Sequence, residues 1–118
     1  MRFRAEQRLR RQHDFRAARE KGRRIDCGAF TAWFYRRRDP EGDPPTLARR
    51  RVGVVASTAA VGIAVQRNRA KRRLRSIFRH HQDSVPAGYD VLLVARAAVN
   101  RLDYSEIEKR FIDACRKL

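Results

Sequence analysis

Residues 67–79 read RNRAKRRLRSIFR and hold seven Arg or Lys without an acid. The chemistry suited to such a set is the gripping of phosphate, because each guanidinium offers a planar fork that takes two oxygens at once, which an ammonium cannot do. Ala70, Leu74, Ile77 and Phe78 recur through the same segment at helical spacing. At about 100° per residue these four fall on one side of a helix, while Asn68, Arg72, Arg75 and Arg79 line the other at i, i+4, i+7 and i+11. Arg67, Arg69, Lys71 and Arg73 cannot all share that line, so some reach sideways and widen it into a basic surface. Asn68 adds a neutral amide that both donates and accepts, a match for a base edge, a ribose hydroxyl or a metal-bound water. Like charges at i, i+4 with no acid to offset them destabilise an isolated helix. A folded helix that carries this cost is expected to face a polyanion outside the chain.

No comparable set points to a protein active site, and neither a catalytic residue nor a metal ligand is expected. His13 stands alone, and His80 and His81 close the basic helix, where they complement its negative end. Asp83 and Asp90 are too few to recruit a metal by themselves, and Asp90 is expected to accept a local hydrogen bond at the start of a strand. Cys27 and Cys115 lie far apart with no CxxC and no His at ligand spacing, so they read as small buried thiols.

The chain as a whole sets 29 Lys and Arg against 13 Asp and Glu, a formal charge of +16 over 118 residues. That exceeds what solubility requires, and the arginines are threaded through the expected elements instead of being gathered in a tail. Nucleic acid is the leading partner. A membrane surface would attract the same charge, but an interfacial helix buries Trp or several Leu, and the apolar stripe here is narrow. No stretch approaches the roughly 20 apolar residues of a membrane-spanning helix, and MRFRAEQRLRRQ lacks the apolar run of a secretion signal, so a cytoplasmic protein is expected. A helix-turn-helix is disfavoured because no second helix precedes Arg67 across a tight turn. A self-sufficient nuclease is disfavoured for want of an acidic cluster to hold metal.

The length fits one domain over residues 1–118 with one modest core. Asp14 is placed to cap a short helix over residues 15–21, with Gly22 as a left-handed stop. Residues 24–37 alternate as a strand, Phe30, Ala32 and Phe34 pointing one way and Thr31, Trp33 and Tyr35 the other. The acidic, proline-rich residues 39–46 connect it to a second strand over 47–57, where Gly53 hints at a bulge or a close backbone approach. Residues 58–66 fit either a helical turn or a loop, and the basic helix runs from about Arg67 to His81. A turn at Pro86 and Gly88 precedes an apolar strand over 89–96. Asp103, with Glu106 three residues on, opens a last helix whose apolar face is Tyr104, Ile107, Phe111, Cys115 and Leu118. The order α-β-β-α-β-α predicts a mixed sheet of three to four strands covered by helices, an α/β (α+β) sandwich.

The segment QRNRAKRRLR resembles the hallmark of the bacterial ribonuclease P protein components, an RNR element opening a basic helix, through Arg67, Asn68, Arg69, Lys71, Arg72 and Arg75. RLRRQHDFRAAREKGRR, AFTAWFY, RVGVVAS and GYDVLLVAR follow the order of that family, so the likeness covers nearly the whole chain. The resemblance implies a left-handed βαβ crossover, an exception to the usual hand. It implies a protein that joins a large catalytic RNA to form an endoribonuclease, which removes the 5′ leader of precursor tRNA. Mg²⁺ would be bound mainly by that RNA, and the RNR helix would lie close to it. A noncatalytic RNA-binding module, such as a ribosomal protein, is the competing expectation from the basic helix alone.

The resemblance further implies a cleft between the sheet and the first helix that takes the single-stranded leader, with Phe15 and Trp33 in it, Trp33 standing where the family commonly has Tyr. Rings suit that task, because an aromatic stacks on any base without reading sequence, at about 1–3 kcal/mol per base. The chain departs from the family in two places. Arg19 stands where many relatives have an aromatic, so a cation that stacks or grips phosphate takes that position. ASTAAVG replaces a lysine-rich turn, which removes the basis for an RNA contact from residues 58–60.

Overall fold

Helix α1 (Gln12–Lys21) opens the part of the chain that the computed structural model describes, residues 12–37 and 50–118. It starts earlier than the sequence suggests, so Asp14 lies inside the first turn, where it faces Arg51 at 3.6 Å instead of preceding the helix as a cap. Gly22 does end the helix, its N–H donating to the Ala18 carbonyl at 3.0 Å, but not by a left-handed backbone. The need for glycine is spatial: a Cβ would stand 2.3 Å from the Ala18 oxygen and 3.1 Å from that of Phe34.

The single strand expected over 24–37 is a hairpin of β1 (Arg23–Asp26) and β2 (Phe30–Arg36). Alternation continues through Ile25, Cys27 and Ala29 and masks the turn in the sequence. The turn closes on Gly28 at φ 80°, whose N–H donates to Asp26 Oδ1 at 2.8 Å. That bond and the Arg96 guanidinium hold the Asp26 carboxyl below its ordinary range. Strands β3 (Arg51–Val55) and β4 (Tyr89–Ala95) complete a sheet ordered β1-β2-β4-β3, antiparallel except for the β3/β4 pair. Gly53 sits in unbroken register opposite Leu92, so the strand carries no bulge. The acidic connection at 39–46 and the basic lead-in before Gln12 lie outside the described residues.

Between β3 and β4 the uncharged stretch 58–66 forms both of the structures its sequence allowed. Ser57 Oγ accepts from the Ala60 N–H at 3.1 Å and caps the short α2 (Thr58–Val61), and Gly62 at φ 118° breaks it. Helix α3 (Ala64–His81) then begins three residues before Arg67. Ile63 occupies its cap position and supplies no side-chain cap. After β4, helix α4 (Tyr104–Arg116) follows a 3₁₀ turn (Ala97–Asn100). Asp103 holds the cap position, but its side chain makes no cap bond and Glu106 pairs instead with Arg110 at 3.1 Å. The order is therefore α-β-β-β-α-α-β-α, the expected order with one strand and one short helix added.

The main core lies between one face of the sheet and the pair α3 and α4. Phe30, Ala32 and Phe34 of β2 meet Ala70, Leu74, Ile77 and Phe78 of α3 and Ile107 and Phe111 of α4 in one buried cluster. Each large side chain of this kind contributes about 1.5–3 kcal/mol through burial, which exceeds the cost of the charge repulsion along α3. Cys27 and Cys115 are unbonded in this core, and burial pushes their thiols up to about 11 and about 12, so both stay protonated and inert at neutral pH. Helix α1 packs on the opposite face against β2 and β4, where Ala18 and Leu92 are buried apart from the main core.

Candidate nucleic-acid interface

The apolar stripe of α3 turns inward as its periodicity requires, with Ala70, Leu74, Ile77 and Phe78 all fully buried. Asn68, Arg69 and Arg72 are exposed on the outer side, and Lys71 and Arg67 are half-buried at its margins. None of these five forms an ion pair among the described residues. Arg67 is less free than the spacing suggests: its Nε is enclosed and without a hydrogen-bond partner among the described residues. At the neighbouring Gln66, Asn100 donates through Nδ2 to the backbone carbonyl at 2.9 Å, while its own Oδ1 is enclosed and without a partner among the described residues.

Further along, the cations are engaged with the protein. Arg73 donates to the Leu102 carbonyl at 2.7 Å, and Arg75 and Arg79 are half-buried and interact with neighbouring groups. The fully exposed part of the line is thus its first half, Asn68, Arg69 and Arg72, with Arg75 and Arg79 half-buried beyond it. His80 and His81 lie in the last turn, where His80 Nδ1 is 2.8 Å from the Ser76 carbonyl oxygen and His81 Nε2 is 2.7 Å from Glu108 Oε2.

On the α1 side of the sheet, the register places Arg24, Trp33, Leu92 and Gly53 in one row across the strands. Trp33 is half-buried, and its ring carries two cations: the Arg19 guanidinium carbon is 5.5 Å from the centroid and that of Arg24 is 5.8 Å. Such contacts are each favourable by roughly 0.5–1 kcal/mol where solvent reaches them. Phe15, one residue after Asp14 on α1, is half-buried as well. Phe15, Arg19 and Trp33 therefore share one layer, α1 and the sheet face beneath it, and none of them belongs to the main core.

The next row is Tyr35, Asp90 and Arg51. Asp90 is 1% exposed and accepts from three guanidinium nitrogens: Arg51 Nε at 2.8 Å, Arg51 Nη2 at 2.7 Å and Arg37 Nη1 at 2.5 Å. Arg51 also reaches Asp14, so a chain of ion pairs ties α1, which carries Phe15, to β3 and β4. The hydrogen bond to Asp90 raises the Arg51 guanidinium above its ordinary pKa. Sequence reasoning expected Asp90 to accept a local bond, but its two arginine partners lie 53 and 39 residues away. It also missed Arg24 and the cavity of about 740 Å³ lined by Lys21, Tyr35, Arg36 and Arg37. No group of three His, Cys, Asp or Glu is placed to hold a metal ion among the described residues. No helix among them is long and apolar enough to cross a membrane.

A four-stranded mixed sheet with α1 on one face, α3 and α4 on the other and exposed cations along the first half of α3 defines a small basic α/β sandwich. The chain belongs to the ribonuclease P protein component family, whose profile, described as ribonuclease P, matches residues 3–118. It is 34% identical over 110 residues to the ribonuclease P protein component of Syntrophomonas wolfei, covering 93% of this chain and 85% of that protein. Against the component of Thermobifida fusca it is 38% identical over 109 residues, 92% of this chain and 74% of that one. A stretch of 68 residues is 40% identical to the component of Stutzerimonas stutzeri and spans 58% of this chain and 51% of that protein. Among solved structures, the fold matches the RNase P protein of Thermotoga maritima with a TM-score of 0.76 at 23% identity, over 94% of this chain and 96% of that one. The RNase P protein of Staphylococcus aureus matches with a TM-score of 0.73 at 22% identity, over 94% and 93%.

Proposed function

We propose that this chain is the protein subunit of ribonuclease P in the cytoplasm and assists an endonucleolytic cleavage that its RNA partner performs. In this reading the first half of α3 binds the catalytic RNA through Arg67, Asn68, Arg69, Lys71 and Arg72, with Arg75 and Arg79 extending the charge toward the end of the helix. The layer holding Phe15, Arg19 and Trp33 takes the 5′ leader of precursor tRNA. The observation that carries the proposal is the row of exposed Asn68, Arg69 and Arg72, unpaired among the described residues, on a helix anchored by its other flank.

The contribution of the protein is electrostatic and positional. Arginines at the RNA surface displace counterions and lower phosphate repulsion in the folded RNA. A leader nucleotide that displaces one of the two guanidiniums over Trp33 gains the ring for its base and a cation for its phosphate, without reading sequence. Holding the leader keeps the scissile bond at the active centre, which converts an encounter into a positioned reaction. Mg²⁺ supplies activated water when bound to the RNA subunit.

Reconstitution tests the reading. Protein alone is expected to leave precursor tRNA uncut, and adding it to the catalytic RNA at low Mg²⁺ is expected to restore accurate 5′ cleavage. A protein that binds the RNA yet leaves the low-Mg²⁺ rate unchanged would instead be a binding module without this role.

A further inference from the structure

We propose that Ile63 and Val65 form an apolar head to the RNA-facing surface of α3 and pack against the face of an unstacked nucleobase of the RNA subunit. The inference rests on the reading of α3 as an RNA-binding helix. Ile63 is 68% exposed and Val65 is 70% exposed, and they are the large hydrophobic residues left open among those described. They lie in the stretch ASTAAVGIAVQ, residues 56–66, which has no charged residue in a chain that is 36% charged. Residues 57–60 and 63–66 are all exposed, so this is uncharged surface and not hidden core.

Folding does not account for either side chain. Ile63 fills the cap position of α3, where a Ser or Asn would satisfy a free backbone N–H and Ile satisfies none. Val65 begins the same helical line as the outward cations, since Val65, Arg69 and Arg72 stand at i, i+4 and i+7 and all are exposed. An apolar patch continuous with arginines that are exposed and unpaired among the described residues calls for a partner that offers flat apolar faces and negative charge within one or two helical turns of each other. RNA loops, bulges and strand ends have that make-up, because their unstacked bases are flanked by phosphates. A second copy of this chain does not, since each copy brings a charge of +16.

The full-length protein with Ile63→Ser and Val65→Ser, titrated with the RNA subunit of ribonuclease P from the same genome, tests the proposal. Affinity is expected to fall about tenfold, with the slope of log K against log salt unchanged, since no ionic contact is lost. Ile63→Ser alone is expected to raise the thermal midpoint by restoring a cap, so the loss of binding cannot be assigned to unfolding. A parallel protein with Arg69→Ala and Arg72→Ala is expected to lose affinity and salt slope together. If the arginine pair matters and the serine pair does not, the apolar contact is refuted while the RNA-binding helix stands. Should the serine pair dissolve a dimer in sedimentation and leave RNA affinity intact, the patch is a self-association surface and the proposal falls. If neither pair matters, the role of α3 fails and this inference fails with it.

Discussion

The two basic regions of the molecule differ in what balances their charge. Beneath α1, Arg37 and Arg51 converge on one buried carboxylate, Asp90, and Arg51 is shared with Asp14. On the outside of α3, Arg69, Lys71 and Arg72 have no such acid among the described residues. The first set is satisfied internally and acts as a strut between α1 and the sheet. The second keeps its electrostatic potential for something outside the chain. Net charge alone would not separate them, and the placement of so few acids does.

The largest expected effect comes from removing the acid that distinguishes the two regions. Asp90→Asn takes from Arg37 and Arg51 the buried carboxylate they share and should destabilise the fold by about 3–5 kcal/mol in urea unfolding. A change under about 1 kcal/mol would mean that Arg37 and Arg51 are not held by this carboxylate. The converse substitution, Arg69→Ala with Arg72→Ala, should leave unfolding within about 0.5 kcal/mol of the original. It should weaken binding of the catalytic RNA by on the order of tenfold to a hundredfold and lower the salt slope by about 1.5–2. Equal losses of stability and affinity would erase the contrast between strut and interface. The smallest effect sharpens the α1 side. Trp33→Ala should weaken leader-bearing precursor tRNA about tenfold relative to mature tRNA in the assembled enzyme, with Trp33→Phe recovering most of it. Equal weakening of both substrates would show that the ring only packs.

The inward flank of the basic helix could be read in the sequence residue by residue, because its apolar periodicity is unbroken. Ala70, Leu74, Ile77 and Phe78 are all buried where the spacing put them. The hairpin between β1 and β2 could not, since alternation runs unbroken through Cys27 to Ala29 and the turn shows only in the backbone of Gly28. Caps were the least legible. Asp14 and Asp103 are both good cap residues by type, yet Asp14 turns to Arg51, and Asp103 keeps the cap position without making the bond. A carboxylate chooses between a local N–H and a distant guanidinium, and only the fold decides which is nearer.

Residue types and their order were enough to determine the main helices, the inward flank of α3, the family and an excess of positive charge, because periodicity is set by neighbours within a few positions and charge and motif order are carried by the sequence itself. Which cations remain available was decided by the tertiary structure. Arg51, Arg73 and Arg96 look like Arg69 and Arg72 in a linear reading, but each is brought to an acceptor between 29 and 70 residues away. Hydrogen bonds and ion pairs act over a few ångströms, so only the folded chain assigns arginines to acids, to carbonyls or to solvent.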